Sequence, residues 1–311
     1  MKFVAGIDAG QSSTTAVVVD ERGYVRGRGT AGPADHVDEP PGSSKCADAC
    51  AAAVDGALRA AGLPTGTELE AVRIGLSGYD AAFDGRAPTF AARSVSLVHD
   101  APVALAGAIQ TRPAVVTIAG TGSVAYGEDA SGAAVRVGGW GYLFGDEGSA
   151  FAVARDALAH AMAADDRGER TPLAEAALAY FDRPGLRDLA TAALQGRISR
   201  SGLAAFAQVV HDAARLGQPD AVAIVNRAAD ALARLGAVAL DRLGLAGRPV
   251  PVAFAGGAFR SENFARRVRE QLLALAPGAQ VVVPRYDAAV GAALLAFADA
   301  DLAVPVRVVE G

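Results

Sequence analysis

Two short stretches combine glycine with hydroxyl side chains: Gly10-Gln11-Ser12-Ser13-Thr14 and Gly120-Thr121-Gly122-Ser123. Glycine removes the side chain where backbone must bend sharply or come close to a ligand, and adjacent hydroxyl and N–H groups suit anionic oxygens. That is phosphate chemistry. A second glycine cluster, Gly138-Gly139-Trp140-Gly141, runs into Gly145-Asp146-Glu147-Gly148-Ser149 and sets the only Trp beside an acidic pair. The Asp-Glu-Gly-Ser end also reads as the cap of a helix from about Ser149 to Met162, so Asp146 has a capping alternative. Asp100 has one too, since a helix opens at Pro102 just behind it. Trp140 is open to two readings, core packing or a stacking platform for a ligand.

The basic residues narrow the phosphate chemistry. Only Lys2 and Lys45 are lysines, and neither lies in a Gly-Lys-Ser/Thr loop or on a strand beside a glycine loop. Walker A and protein-kinase sites are therefore excluded. If the chain handles a nucleoside triphosphate, backbone amides, hydroxyls and a carboxylate-held Mg2+ must do the work. A dinucleotide fold fails as well, because neither loop has Gly-x-Gly-x-x-Gly opening a helix and Ser123 leads into β-patterned sequence.

At 311 residues and 51% hydrophobic, the chain is long enough for a large core and two domains. A net charge of -5 gives no footprint for nucleic acid. The opening MKFVAGIDAG meets Asp8 too early for a signal peptide, and no apolar run spans a bilayer, so a cytoplasmic enzyme is expected. Cys46 and Cys50, at helical spacing, read as small core residues. His36, His99, His160 and His211 are scattered without ligand spacing, which predicts no protein-built transition-metal site.

The elements that must position these groups follow an α/β pattern. Strands are expected at Phe3 to Asp8, Thr14 to Asp20 and Tyr24 to Thr30, then a helix to Ala61 capped by Ser43 or Ser44. A strand from Ala71 to Leu76 ends at Ser77-Gly78-Tyr79-Asp80, and another from Ser94 to Val98 ends at His99-Asp100. Polar groups thus gather at strand carboxyl ends, where ligands bind in open α/β sheets. The pattern strand, glycine-hydroxyl loop, strand, Asp-x-x-Gly turn, strand occurs in residues 3–30 and again in 114–137, with 13 positions from Gly10 to Gly23 and 12 from Gly120 to Gly132. Helices are expected at Ser149 to Met162, Pro172 to Phe181, Leu186 to Leu194, Ser201 to Leu216 and Pro219 to Leu243. Pro251 to Ala255 is a strand before the loop Gly256-Gly257-Ala258, and Ser261 to Leu275, Gln280 to Val283 and Ala288 to Ala298 close the chain.

Two meanders with glycine-hydroxyl hairpins, and a third glycine turn at 254–259, resemble the duplicated ribonuclease H-like, two-domain actin/hexokinase-type ATPase fold. The strings Gly-Thr-Gly-Ser, GGWG and GDEGSA further resemble the N-acetylglucosamine kinase branch of the BadF/BadG/BcrA/BcrD ATPase family. The resemblance implies a lobe of residues 1–110 and 287–311 and a second of 111–286. It implies ATP bound by Asp8, Gly10, Gln11, Ser12, Ser13, Thr14, Gly120, Thr121, Gly122, Ser123, Gly256 and Gly257, with Asp8 at Mg2+. By the same likeness Asp100 is the catalytic base, and Ser77, Asp100, Thr121, Gly122, Trp140 and Asp146 meet the sugar. The implied reaction is phosphorylation of the 6-hydroxyl of N-acetylglucosamine or a related amino sugar. Glucosamine, N-acetylmuramic acid and glucose are alternative acceptors, and the oligomeric state stays open, a homodimer included. Two departures touch substrate preference: Asp8 stands where some sugar kinases of the branch carry Glu, and His99 precedes Asp100 where small residues are common. The rival readings are an activator of a 2-hydroxyacyl-CoA dehydratase, which needs cluster-binding cysteines in the second half, and a sugar-responsive regulator, which needs a DNA-binding segment before Met1. Both cysteines lie in the first half, and neither rival reading is the one expected.

Overall fold

A computed structural model describes residues 1–34, 39–79 and 83–310; His36 and Asp80 lie outside the described residues. The chain runs β1 (Phe3–Ala9), β2 (Thr14–Asp20), β3 (Tyr24–Ala31), α1 (Lys45–Ala60), β4 (Leu69–Leu76), β5 (Ala92–His99) and α2 (Asp100–Ala108). It continues as β6 (Ala114–Ala119), β7 (Ser123–Glu128), β8 (Ala134–Gly138), α3 (Ala150–Asp166), α4 (Pro172–Phe181), α5 (Leu186–Leu194), α6 (Arg200–Ala205), α7 (Ala207–Arg215) and α8 (Pro219–Arg242). After β9 (Val250–Ala255) come a 3-10 turn (Gly257–Arg260), α9 (Glu262–Leu275), β10 (Ala279–Val282), α10 (Ala288–Asp299) and β11 (Val309–Glu310). Two compact units result: Met1–Val116 with Tyr126–Ala133 and Val282–Gly311, and Thr117–Ala125 with Ala134–Val281.

The first sheet has the order β11-β3-β2-β1-β4-β5 and the second β10-β9-β6-β7-β8. Apart from β11, both follow one plan: three consecutive strands side by side, then two later strands added beside the first of the three. The recurring sequence pattern is therefore a duplicated topology. In the first sheet β1 runs antiparallel to β2 and parallel to β4, which runs parallel to β5. Side chains of a strand alternate between faces, and β1 feeds two cores in turn. Ala5, Ile7 and Ala9 join Val18, Ile74 and the α1 residues Cys46, Cys50, Ala53 and Leu58. Val4 joins Val17, Val19 and the α10 residues Val290, Ala293 and Phe297 on the other face. Burial on both faces explains why these strands read as nearly continuous apolar runs. Cutting Ile74, fully buried, to Ala costs about 2–5 kcal/mol.

One expected helix is two. Residues 201–216 divide at Phe206 into α6 and α7. Phe206 is 1% exposed and packs against Tyr180 and Phe181 at ring distances of 5.5 and 5.4 Å. The chain tightens around it through i to i-3 bonds, Phe206 N–H to Leu203 O and Val209 N–H to Phe206 O. Burying the aromatic ring outweighs continuity of the α-helical ladder, which hydropathy periodicity does not register. No described helix is long and apolar enough to cross a membrane.

Candidate active site

In the first unit, the carboxyl ends of β1, β4 and β5 bring Asp8, Ser77 and Asp100 to one edge of the sheet. Asp8 pairs in register with Gly75, and Ser77 N–H donates to Ala9 O at 3.0 Å. A side chain at Gly75 would put its Cβ 3.3 Å from Asp100 Cα and 2.2 Å from Val103 Cγ2. Glycine at that point is what lets the start of α2 settle against β4 beside Asp8. Asp287 joins the group by charge: burial first, then Asp100, then Asp287, push the Asp8 carboxyl up to about 7. Asp287 itself caps α10, accepting from Val290 N–H at 2.9 Å, and its other oxygen pairs with Arg28 at 2.6 Å. Its capping role was readable from the small-residue helix that follows it; its electrostatic role needed the tertiary fold.

Asp100 is not the cap of α2. That helix begins at Asp100 itself, and its cap is His99, whose Nδ1 accepts from Ala101 N–H at 3.1 Å. The same nitrogen lies 2.8 Å from Asp100 Oδ1. A bare Nδ1 has no proton to give, so this buried oxygen has no hydrogen-bond donor. The capping alternative for Asp100 is thus removed, and the carboxylate is left for other use. In the loop after β1, Gly10 N–H bonds to Ser13 O at 3.0 Å, Ser12 and Ser13 are exposed, and Gln11 Oε1 is buried without a partner.

In the second unit, the Gly120 loop is closed by Gly120 N–H to Gly122 O at 2.9 Å. Its carbonyls accept from the first turn of α3, Ala150 N–H to Gly120 O at 2.9 Å and Phe151 N–H to Thr121 O at 3.4 Å. Ser149 caps α3 through Ala152 N–H at 3.1 Å, so the capping alternative for Asp146 fails too. Asp146 instead turns back onto the loop. It has a φ of 61°, is 3% exposed, and accepts from Ser123 N–H at 3.2 Å and from Arg200 Nη2 at 3.4 Å. A left-handed aspartate held this way is strained backbone at a prospective site. Gly122 makes room for it, since a Cβ there would stand 2.8 Å from Asp146 Oδ2. Gly256, with a φ of 100°, approaches the same loop: its Cβ would lie 2.4 Å from Ala119 O.

Thr14 and Ser123, expected at phosphate, have their hydroxyls engaged within the protein. Both are buried, at the first position of β2 and β7. Thr14 Oγ1 donates to Gly32 O at 2.9 Å and Ser123 Oγ to Glu147 O at 2.8 Å. A hydroxyl inside a sheet finds a carbonyl because burying it unpaired is costly, so the last residue of each loop anchors it. Trp140 differs in the opposite sense. It is 72% exposed, and the core-packing reading does not hold.

Beside Gly257, the second unit holds a cavity of about 660 Å3 lined in part by His211, Asn226, Arg260, Ser261 and Arg267. Burial pushes His211 below its ordinary value, and its ring meets Phe264 edge to face at 4.9 Å. The volume suits a nucleoside. Of the lining groups the sequence pattern singled out only the glycine turn, because the others converge from the 3-10 turn and three separate helices.

The model of the BadF/BadG/BcrA/BcrD ATPase family matches residues 5–296. The chain belongs to that family. It is 29% identical over 242 residues to the N-acetylmuramic acid/N-acetylglucosamine kinase of Clostridium acetobutylicum, covering 75% of this chain and 79% of the relative. It is 31% identical over 211 residues to the N-acetyl-D-glucosamine kinase of Dictyostelium discoideum, 65% of each. A structure from Chromobacterium violaceum, provisionally named an N-acetylglucosamine kinase, superposes with a TM-score of 0.76 at 28% identity, covering 95% of this chain and 99% of the other.

Proposed function

We propose that this BadF/BadG/BcrA/BcrD family member is an ATP-dependent kinase that phosphorylates the 6-hydroxyl of N-acetylglucosamine, in the cytoplasm. The observation that carries the reading is Asp100: a carboxylate at a sheet edge beside Asp8, relieved of helix capping by His99. Phosphoryl transfer leaves the protein little covalent chemistry, so positioning and charge are what it must supply. Asp100 takes the proton of the acceptor hydroxyl as that oxygen bonds to the γ-phosphorus. The bond from phosphorus to the bridging oxygen breaks, and ADP leaves with its electron pair. In the first unit, Ser12, Ser13 and the Gly10 loop backbone are phosphate contacts and Ser77 is a sugar contact; in the second, the Gly120 loop backbone is a phosphate contact, Gly256 and Gly257 border the nucleoside, and Asp146 and Thr121 are sugar contacts.

The residues suit Mg2+. Asp8 is a carboxylate short of counter-charge, pushed up to about 7 by burial and by Asp100 and Asp287. Among the described residues no three His, Cys, Asp or Glu form a cage, and Mg2+ characteristically takes one or two carboxylates and completes its shell with phosphates and water. When bound it neutralises phosphate charge, the task for which this chain has no lysine. A dehydratase activator is disfavoured by the cysteines, since Cys46 and Cys50 are buried in the α1 core. The test is a coupled ADP-release screen with N-acetylglucosamine, N-acetylmuramic acid, glucosamine and glucose. Acceptor-dependent release with N-acetylglucosamine that vanishes in EDTA supports the reading, and no release with any amino sugar refutes it.

A further inference from the structure

Arg200 is the first residue of α6, directly behind the Ser199 cap, and its side chain is 11% exposed. α6 packs on α3. That contact carries the guanidinium over the ring of Tyr142, 4.6 Å from its centroid, and 6.0 Å from that of Phe151. The two rings meet edge to face at 5.3 Å. Nη2 donates to Asp146 Oδ2 at 3.4 Å, while Nε is buried and makes no hydrogen bond. Helix electrostatics argue against a cation at this place, because Phe151 lies in the first turn of α3, the positive end of its dipole. A guanidinium that meets an opposing dipole and leaves a donor unmade is held there by ring faces and by the Asp146 carboxylate.

We propose that Arg200 is the positioning residue of Asp146 and thereby sets the affinity for the acceptor sugar. Arg200 holds Oδ2 while Ser123 N–H holds Oδ1, so the carboxylate keeps one orientation toward the acceptor hydroxyls. Asp146 is 3% exposed. Without Arg200 this buried carboxylate loses a charged partner, and the loss is relieved by a shift of its position. That shift misplaces the acceptor. A lysine keeps the charge but neither the fork nor the flat face that lies on Tyr142. The proposal rests on the reading of Asp146 as an acceptor-holding group.

Steady-state kinetics on the full chain, varying N-acetylglucosamine and Mg-ATP in turn, test it with Arg200→Gln, Arg200→Lys, Asp146→Asn and the Arg200→Gln/Asp146→Asn pair. Arg200→Gln should raise the acceptor KM about tenfold or more with the ATP KM nearly unchanged, and Arg200→Lys should fall between it and wild type. The double variant should be no worse than Asp146→Asn alone, because the two side chains act as one unit. A purely structural role would lower the thermal midpoint and leave the acceptor KM alone. If Asp146→Asn raises the acceptor KM and neither Arg200 variant does, or if the effects simply add, the inference is overturned while the function stands. If Asp146→Asn leaves that KM unchanged, the reading of Asp146 falls and the inference with it. Should Arg200→Gln fail to fold, Arg200→Lys carries the same comparison.

Discussion

Around Asp8 in the first unit, carboxylates crowd together: Asp100 and Asp287 both act on it, Arg28 is drawn to Asp287, and Asp8 is pushed up to about 7. Around Asp146 in the second unit, donors converge instead, a backbone N–H and a guanidinium, under a roof of two aromatic rings. The two sites sit near loops built to one plan, yet their charge balance is opposite. On the proposed function, the first gains a cation with its ligand and the second meets polar, uncharged groups.

Substitutions sharpen or break that contrast. The largest effect is expected at Asp100. Asp100→Asn should lower kcat by roughly 100-fold or more with ATP affinity nearly unchanged, by the usual range for acid-base catalysis. The α2 cap should be kept, since His99 and not Asp100 caps that helix. Wild-type kcat in this variant would remove the base from the first unit. Next in size is Gly122→Ala, whose Cβ would meet Asp146 Oδ2 at 2.8 Å. Displacing a prearranged carboxylate should raise the acceptor KM by about tenfold, given how steeply positioning errors are felt. An unchanged acceptor KM would mean that the second site tolerates movement.

The electrostatic contrast has a pH signature in the metal-free protein. Asp8 ionises near 4 when unfolded and at about 7 when folded, so between those values the folded state holds the extra proton. Stability should fall as pH rises through that window and stay lower above it. Asp8→Asn cannot ionise, and should raise the thermal midpoint by a few degrees at pH 8 and leave it unmoved at pH 4. The smallest effect belongs to His99. His99→Ala should cost about 1 kcal/mol in denaturant unfolding through the lost cap, and His99→Asn, which can cap, should restore most of it.

Much of the fold was legible because the repeat is local. Strand, glycine-hydroxyl loop, strand, turn and strand appear as contiguous residues in both halves, and hydropathy with turn chemistry places such elements within a residue or two. The glycine loops and Asp100 were legible for the same reason, as groups at the ends of apolar runs. Capping was not. A sequence offers several polar residues near a helix start, and only the backbone path decided that His99 and Ser149 cap while Asp100 and Asp146 do not. Thr14 and Ser123 read as ligand groups because hydroxyls beside glycine suit phosphate, but burial assigned them to carbonyls of the protein.

The sequence by itself determined the duplicated α/β plan, the two glycine loops, the absence of a phosphate lysine and the family strings GGWG and GDEGSA, all of which rest on neighbouring residues. Only the tertiary structure decided that Asp287 bears on Asp8, that Arg200 lies over Tyr142 against Asp146, and that Trp140 is exposed. The reason is range. Propensity and periodicity act over a helical turn or a hairpin, whereas charge, burial and ring contact depend on groups that packing brings together from segments far apart in the chain.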